Sequence, residues 1–274
     1  MPDQWLIPGS ALCVEGSGFI LWDKRYNMAM NQNTQIALVT GASSGIGSAI
    51  AKSLIEAGFT VIGAGRNMDA LQMLSGQLGE PFVPLLLDVN DSDSVATLFD
   101  RLCPQYHQID VLVNNAGHDV GGRRRFDQGD TEQWVNIIET NVSGVIRVTR
   151  RIIGGMVNRG NGHIVNMGSV AGLHGYASGS IYSASKHAIH GFSESLRLDY
   201  VGMGIRVTEI LPGLVKTRFA ANRFSHEIDN EEKAEAFYQS FNSWLNPEDV
   251  ARTVVFSLQQ PENVTISQLV VVPG

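Results

Sequence analysis

Between Gln35 and Gly58 the chain reads "QIALVTGASSGIGSAIAKSLIEAG". A short apolar, β-branched run meets a glycine-rich turn, and apolar residues at helical spacing follow until a glycine stops them. A strand apolar on both faces needs cover on both, which a parallel sheet flanked by helices supplies. The same alternation continues through "TVIGAG", "FVPLLLDV", "IDVLVNNAG", "HIVNMGS", "GIRVTEILPG" and "SQLVVV". Helical stretches separate these runs, among them "ALQMLSGQLG", "SDSVATLFDRLC" with a capping serine, a single long helix over 130–160, and "NEEKAEAFYQSF". Right-handed crossovers then predict one α/β domain over 35–274, a doubly wound Rossmann sheet of seven parallel strands with helices on both faces. Residues 1–34 lack a clear helical or strand period and read as an extension, flexible in expectation, with no secretory pattern. Met28 and Met30 stand just before the first clear strand as candidate alternative starts.

Composition narrows the functions available. A net charge of -7 argues against nucleic acid or an anionic membrane as partner and leaves a small molecule. Cys13 and Cys103 show no metal-ligand or redox spacing, so the expectation is a reduced, cytoplasmic protein that binds no metal. No apolar run approaches the roughly 20 residues of a membrane span.

The turn "TGASSGIG", Thr40 to Gly47, joins strand to helix. Gly41, Gly45 and Gly47 allow positive φ and a close approach of backbone N–H groups to a pyrophosphate at the helix N-terminus. The next strand ends "GAGRN", with Gly65 where an acidic residue would hold the ribose hydroxyls of NAD. Arg66 follows, 19 residues after Gly47, and its guanidinium suits a 2′-phosphate. The predicted cofactor is NADP(H).

Tyr182 and Lys186 stand four residues apart in "SGSIYSASKHAIHGF", on one face of a predicted helix. Roughly 0.1 such pairs are expected by chance, so the pair alone is weak. Together with "TGASSGIG", "NNAG" at 114–117, Asn141, Ser169 and "PGLVKT" at 212–217, however, the pattern resembles the short-chain dehydrogenases/reductases over all of 35–274. "GHIVNMGSVAG", "LPGLVKT" and Arg66 further resemble their NADP-dependent 3-hydroxy acid (serine-type) branch.

The resemblance implies an oxidoreductase with Tyr182 as general acid/base and Ser169 as donor to the carbonyl oxygen. It implies that Lys186 lowers the phenol and binds the nicotinamide ribose, and that Asn141 holds a relay water. It also implies a cofactor site built from Thr40, Gly41, Ser43, Ser44, Gly45, Ile46, Gly47, Arg66, Asp88, Val89, Asn115, Ala116, Gly117, Tyr182, Lys186, Pro212, Gly213, Val215 and Thr217. Asn114 is expected to brace the sheet, and helices 131–158 and 181–200 to pair into a homodimer or homotetramer.

The substrate is less legible. The loop "HDVGGRRRFDQGD" places Arg123, Arg124 and Arg125 after the fourth strand, and 216–246 adds Arg218, Phe219, Arg223 and Trp244 in a segment expected to close over substrate. These residues suggest a small anionic substrate, a 3-hydroxy acid or an aldehyde such as sulfoacetaldehyde. His118 and His174 are expected to be satisfied loop residues. A reductase of bulkier neutral ketones is the alternative. A non-catalytic NADP(H) sensor is disfavoured, because both Tyr182 and Lys186 are present.

Overall fold

The computed structural model describes residues 10–13, 20–23, 34–224 and 230–274. Seven parallel strands form its sheet: β3 (Ile36–Thr40), β4 (Thr60–Gly65), β5 (Phe82–Leu86), β6 (Val111–Asn114), β7 (Gly162–Met167), β8 (Ile205–Pro212) and β9 (Gln268–Val271). Their spatial order is β5-β4-β3-β6-β7-β8-β9, so the direction of winding reverses between β3 and β6. In such a sheet, ligands bind at that switch point, outside the carboxyl ends of the strands.

Alternating residues of the central strands feed two cores. Leu38, Ile62, Leu112, Ile164 and Val207 pack on the face covered by α3 (Ser92–Ala96) and α5 (Gly144–Arg159), through Val148, Ile152 and Met156. Val39, Val61, Val113, Val165 and Ile210 pack on the other, under α1 (Gly45–Glu56) and α9 (Pro247–Leu258), through Ile50, Leu54, Val250 and Val254. Between α1 and β5, α2 (Met68–Leu78) begins at Asn67, whose side chain accepts from Ala70 N.

Three local readings need correction. The extension contains a hairpin of β1 (Ser10–Cys13) and β2 (Ile20–Asp23), paired from Ser10↔Asp23 to Cys13↔Ile20. Strands of four residues are too short to carry a visible period, and Met28 and Met30 lie outside the described residues. The stretch "SDSVATLFDRLC" is capped by the Asp91 carboxylate, not a serine, and breaks after Ala96 into a tighter 3-10 turn, Phe99–Arg101. The long helix over 130–160 is α4 (Thr131–Ile138) and α5 joined by a wider π-type turn, Glu139–Ser143.

Candidate active site

The glycine-rich turn supplies backbone. Gly41 and Gly45 sit at φ 66° and 57°, in the left-handed region. Gly47 does not, contrary to expectation; its need is space, since a Cβ there would lie 2.2 Å from the Gly41 carbonyl oxygen. The turn is tied down from the switch point: Asn115 Nδ2 donates to the Thr40 carbonyl (2.9 Å) and the Gly41 carbonyl (3.3 Å), and the Asn115 and Ala116 amides donate to Thr40 Oγ1. Helix α1 begins here with no side-chain cap at Ser44 and no acidic residue in its first turn. Its first N–H groups thus face the cavity unneutralised, which suits a phosphate. Beside the turn, Arg66 is exposed at the cavity edge just after β4.

Asn114 braces the sheet as expected, donating to Thr149 Oγ1 and Asn166 Oδ1. Asp88 turns its Oδ1 to the Asn90 amide at 3.0 Å, and Val89 is buried beneath. All residues expected at the cofactor line one cavity of about 1330 Å3, together with Ser169, Tyr182 and Lys186. Single-ligand pockets are typically about 300–1,000 Å3, so there is room for a dinucleotide and a small substrate together.

Helix α6 (Ser180–Asp199) presents Tyr182 in its first turn and Lys186 in its second. The Lys186 Nζ lies 5.7 Å from the Tyr182 ring centroid and donates to the Met167 carbonyl at 2.8 Å. Ser169 follows β7, its hydroxyl accepting from Ala171 N and reaching the Tyr182 phenol. Burial first, then the Asp119 charge, push the phenol well above its ordinary value, against Arg223 and the Ser169 hydrogen bond. Burial pushes Lys186 down to about 8, against Glu209 and Asp119.

Asn141 lies behind the cavity, in the π-type turn. Its Oδ1 accepts from His118 N (2.9 Å), and its Nδ2 donates to the His118 carbonyl (2.9 Å) and Ser185 Oγ (3.1 Å). The side chain thus clamps the strand end after "NNAG". His118 is satisfied as expected, accepting from Val120 N and pairing with Thr140; His174 is exposed at the cavity rim.

The arginines separate. Arg125 pairs with Asp127 on the surface. Arg223, in α7 (Phe219–Arg223), forms a buried ion pair with Asp119, Nε to Oδ2 2.6 Å. Arg123 stands over the rings of Tyr176 (5.4 Å) and Phe237 (4.8 Å), the latter from α8 (Asn230–Gln239). Burial and then the Arg223 charge pull its guanidinium down, while Tyr176 and Asp119 oppose. Phe219 packs edge-on to Tyr182, centroids 5.8 Å apart, which brings α7 against the reacting group. Arg218 is exposed and also lines the cavity, whereas Trp244 stacks under Lys216. Tyr176, which lines the cavity, and Asp119, buried behind it as the partner of Arg223, were both missed; the run of arginines following Asp119 was the available signal.

The short chain dehydrogenase family model matches residues 35–228. This chain belongs to the short-chain dehydrogenases. The NADP-dependent 3-hydroxy acid dehydrogenase of Salmonella typhi is 40% identical over 239 residues, 87% of this chain and 94% of that protein. Among solved structures, a closed serine dehydrogenase complexed with NADP+ matches with TM-score 0.82 and 39% identity, over 86% of this chain and 94% of that one. An actinorhodin polyketide ketoreductase variant with NADPH matches at 0.79 and 35%, over 90% and 98%. Among the described residues, no helix is long and apolar enough to cross a membrane.

Proposed function

We propose that this short-chain dehydrogenase is an NADP-dependent enzyme that interconverts hydroxyl and carbonyl on a small anionic compound. The candidates are a 3-hydroxy acid or an aldehyde such as sulfoacetaldehyde. One observation carries the anionic reading: Arg123 and Arg223 face each other near Tyr182 with a single carboxylate, Asp119, between them. Arg223 is occupied by that carboxylate, and Arg123 has no ion-pair partner among the described residues. Arg123 thus offers a guanidinium with no carboxylate bound to it, on the aromatic walls of Tyr176 and Phe237. A carboxylate or sulfonate held there is recognised as a charge, and its carbonyl reaches Tyr182.

For the cofactor, the uncapped α1 N-terminus and the Gly47 cradle suit the pyrophosphate, and Arg66 the 2′-phosphate. Gly65 presents no carboxylate to repel it. The similar serine dehydrogenase is complexed with NADP+ and the ketoreductase variant with NADPH. The loop Pro212, Gly213, Val215 and Thr217 closes the nicotinamide end. Tyr238 holds it, its hydroxyl receiving the Thr217 amide at 3.1 Å.

The reduced nicotinamide supplies the hydride when bound. Tyr182, kept protonated by burial, donates to the oxygen as it becomes an alkoxide, and Ser169 donates to the same atom. A phenol raised in this way is set for reduction. In the reverse direction it needs added positive charge, from Lys186 drawn closer and from the oxidised ring. Asn141 fixes the loop and π-type turn through which a relay water reaches Lys186. The protein is cytoplasmic and pairs as a homodimer or homotetramer through the α4–α5 and α6 faces. Exposed Val135 and Ile146 support that reading.

The test is NADPH oxidation, with NADH in parallel, over carboxylate and sulfonate aldehydes and neutral ketones. The expected result is turnover of an anion with NADPH. Faster turnover of a bulky neutral ketone instead selects the alternative substrate class.

A further inference from the structure

Glu209, in β8, is wholly buried behind Lys186, and the chemistry above assigns it nothing. Its Oε2 accepts from His190 Nδ1 at 2.8 Å. Its Oε1 has no hydrogen-bond partner among the described residues. That oxygen packs on Gly168, where an added Cβ would lie 2.4 Å away. Gly168 sits between Met167, whose carbonyl holds the Lys186 ammonium, and Ser169. On α6, Tyr182, Lys186 and His190 recur at intervals of four and so share one helix face. The ammonium and the buried carboxylate therefore meet across one short stretch of β7.

A fully buried carboxylate with one unpartnered oxygen is costly: burial pushes the Glu209 carboxyl up, and the His190 hydrogen bond and charge, then Lys186 and Arg197, oppose that rise. The charged groups around Glu209 are His190, Lys186 and Arg197, all from α6; the Gln268 amide of β9 lies 3.5 Å from Oε2, and Gly168 of the β7 end adds no charge. Around Lys186 the acids are Glu209 and, from the loop after β6, Asp119; Tyr182 and the Met167 carbonyl complete its surroundings. His190 is partly exposed and so couples the buried carboxylate to solvent.

We infer that Glu209, kept ionised by His190, is the counter-charge that holds the Lys186 ammonium protonated across the working pH range. It is a positioning residue: it acts through Lys186 and touches neither substrate nor cofactor. The inference rests on the reading of Tyr182 and Lys186 as the proton-handling pair.

The sign is fixed by the charges. Burial lowers Lys186 to about 8 and Glu209 raises it, so removing the carboxylate lowers it further. Glu209→Gln keeps shape and bulk. The alkaline loss of kcat/KM, and of NADPH affinity read by cofactor fluorescence, is expected about one pH unit lower than in wild type. Glu209→Asp restores the wild-type limb. His190→Gln moves it in the same direction by less, because Lys186 and Arg197 still oppose burial at Glu209 and it is neutralised only in part; it carries the test alone if Glu209→Gln does not fold.

An unchanged alkaline limb in folded Glu209→Gln, whatever the rate, overturns the inference and leaves Glu209 a packing residue. Tyr182→Phe, run beside it, separates the two levels. Full turnover there overturns the reading of the pair, whereas lost turnover with an unshifted Glu209→Gln limb overturns this inference alone.

Discussion

On the proposed function, the two ends of the cavity recognise their ligands by different physics. At the cofactor end the work is done by backbone: a positive-φ turn, an uncapped helix N-terminus and strand ends, with Arg66 the one guanidinium at the edge. At the substrate end it falls to side chains from separate segments: Arg123, with the Asp119–Arg223 pair beside it, whose members stand 104 residues apart in sequence. Tyr182 is where the two meet. The difference teaches that backbone recognition is tolerant and stable, because the sheet over-determines it, while side-chain recognition is tunable and costly to disturb.

Four substitutions or conditions bear on that contrast, taken from the largest effect downward. Tyr182→Phe removes the proposed proton donor where the two ends meet and keeps the ring. Turnover is expected to fall by about 10²–10⁴-fold with NADPH affinity nearly retained; a parallel loss of both would make cofactor binding its main role. Asp119→Asn leaves the Arg223 guanidinium buried without its counter-charge. A loss of about 3 kcal/mol in denaturant unfolding and a raised substrate KM are expected, with the NADPH KM unaltered; a change in the NADPH KM would break the division between the ends.

The sheet itself has an acid limit. His163 in β7 is buried and pushed down to about 3, so the fold keeps it neutral while the unfolded chain protonates it near 6.5. Its contribution is full above pH 6.5 and is lost as pH falls towards 3, about 2 kcal/mol by pH 5. Thermal melts against pH read this, and His163→Gln is expected to flatten the slope. Last, Arg66→Ala is expected to raise the NADPH KM about tenfold and leave the NADH KM unchanged; equal changes in both would remove Arg66 from the 2′-phosphate site.

This division also explains what the sequence made legible. The turn at 40–47, Asn115 and the Tyr182–Lys186 pair are local patterns whose spacing is their geometry, and they all reached one cavity. The residues that escaped depend on distant partners. The loop after β6 shows three consecutive arginines, and nothing local says that Arg125 goes to Asp127 while Arg123 goes to Tyr176 and Phe237. Asn141 was legible as a site residue, but its clamp on His118 requires a π-type turn that the helical pattern of 130–160 does not announce. Glu209 read as one more position in a buried strand, since its meaning comes from His190 and Lys186 on α6.

The substrate end is therefore the place to test. The decisive measurement is kcat/KM, in wild type and Arg123→Ala, for a small aldehyde bearing a carboxylate or sulfonate and for a neutral aldehyde of the same length. The account predicts that the substitution costs the anion about tenfold or more and the neutral compound little, because only the anion loses a charge-assisted partner. An equal loss on both, or none on either, would contradict it.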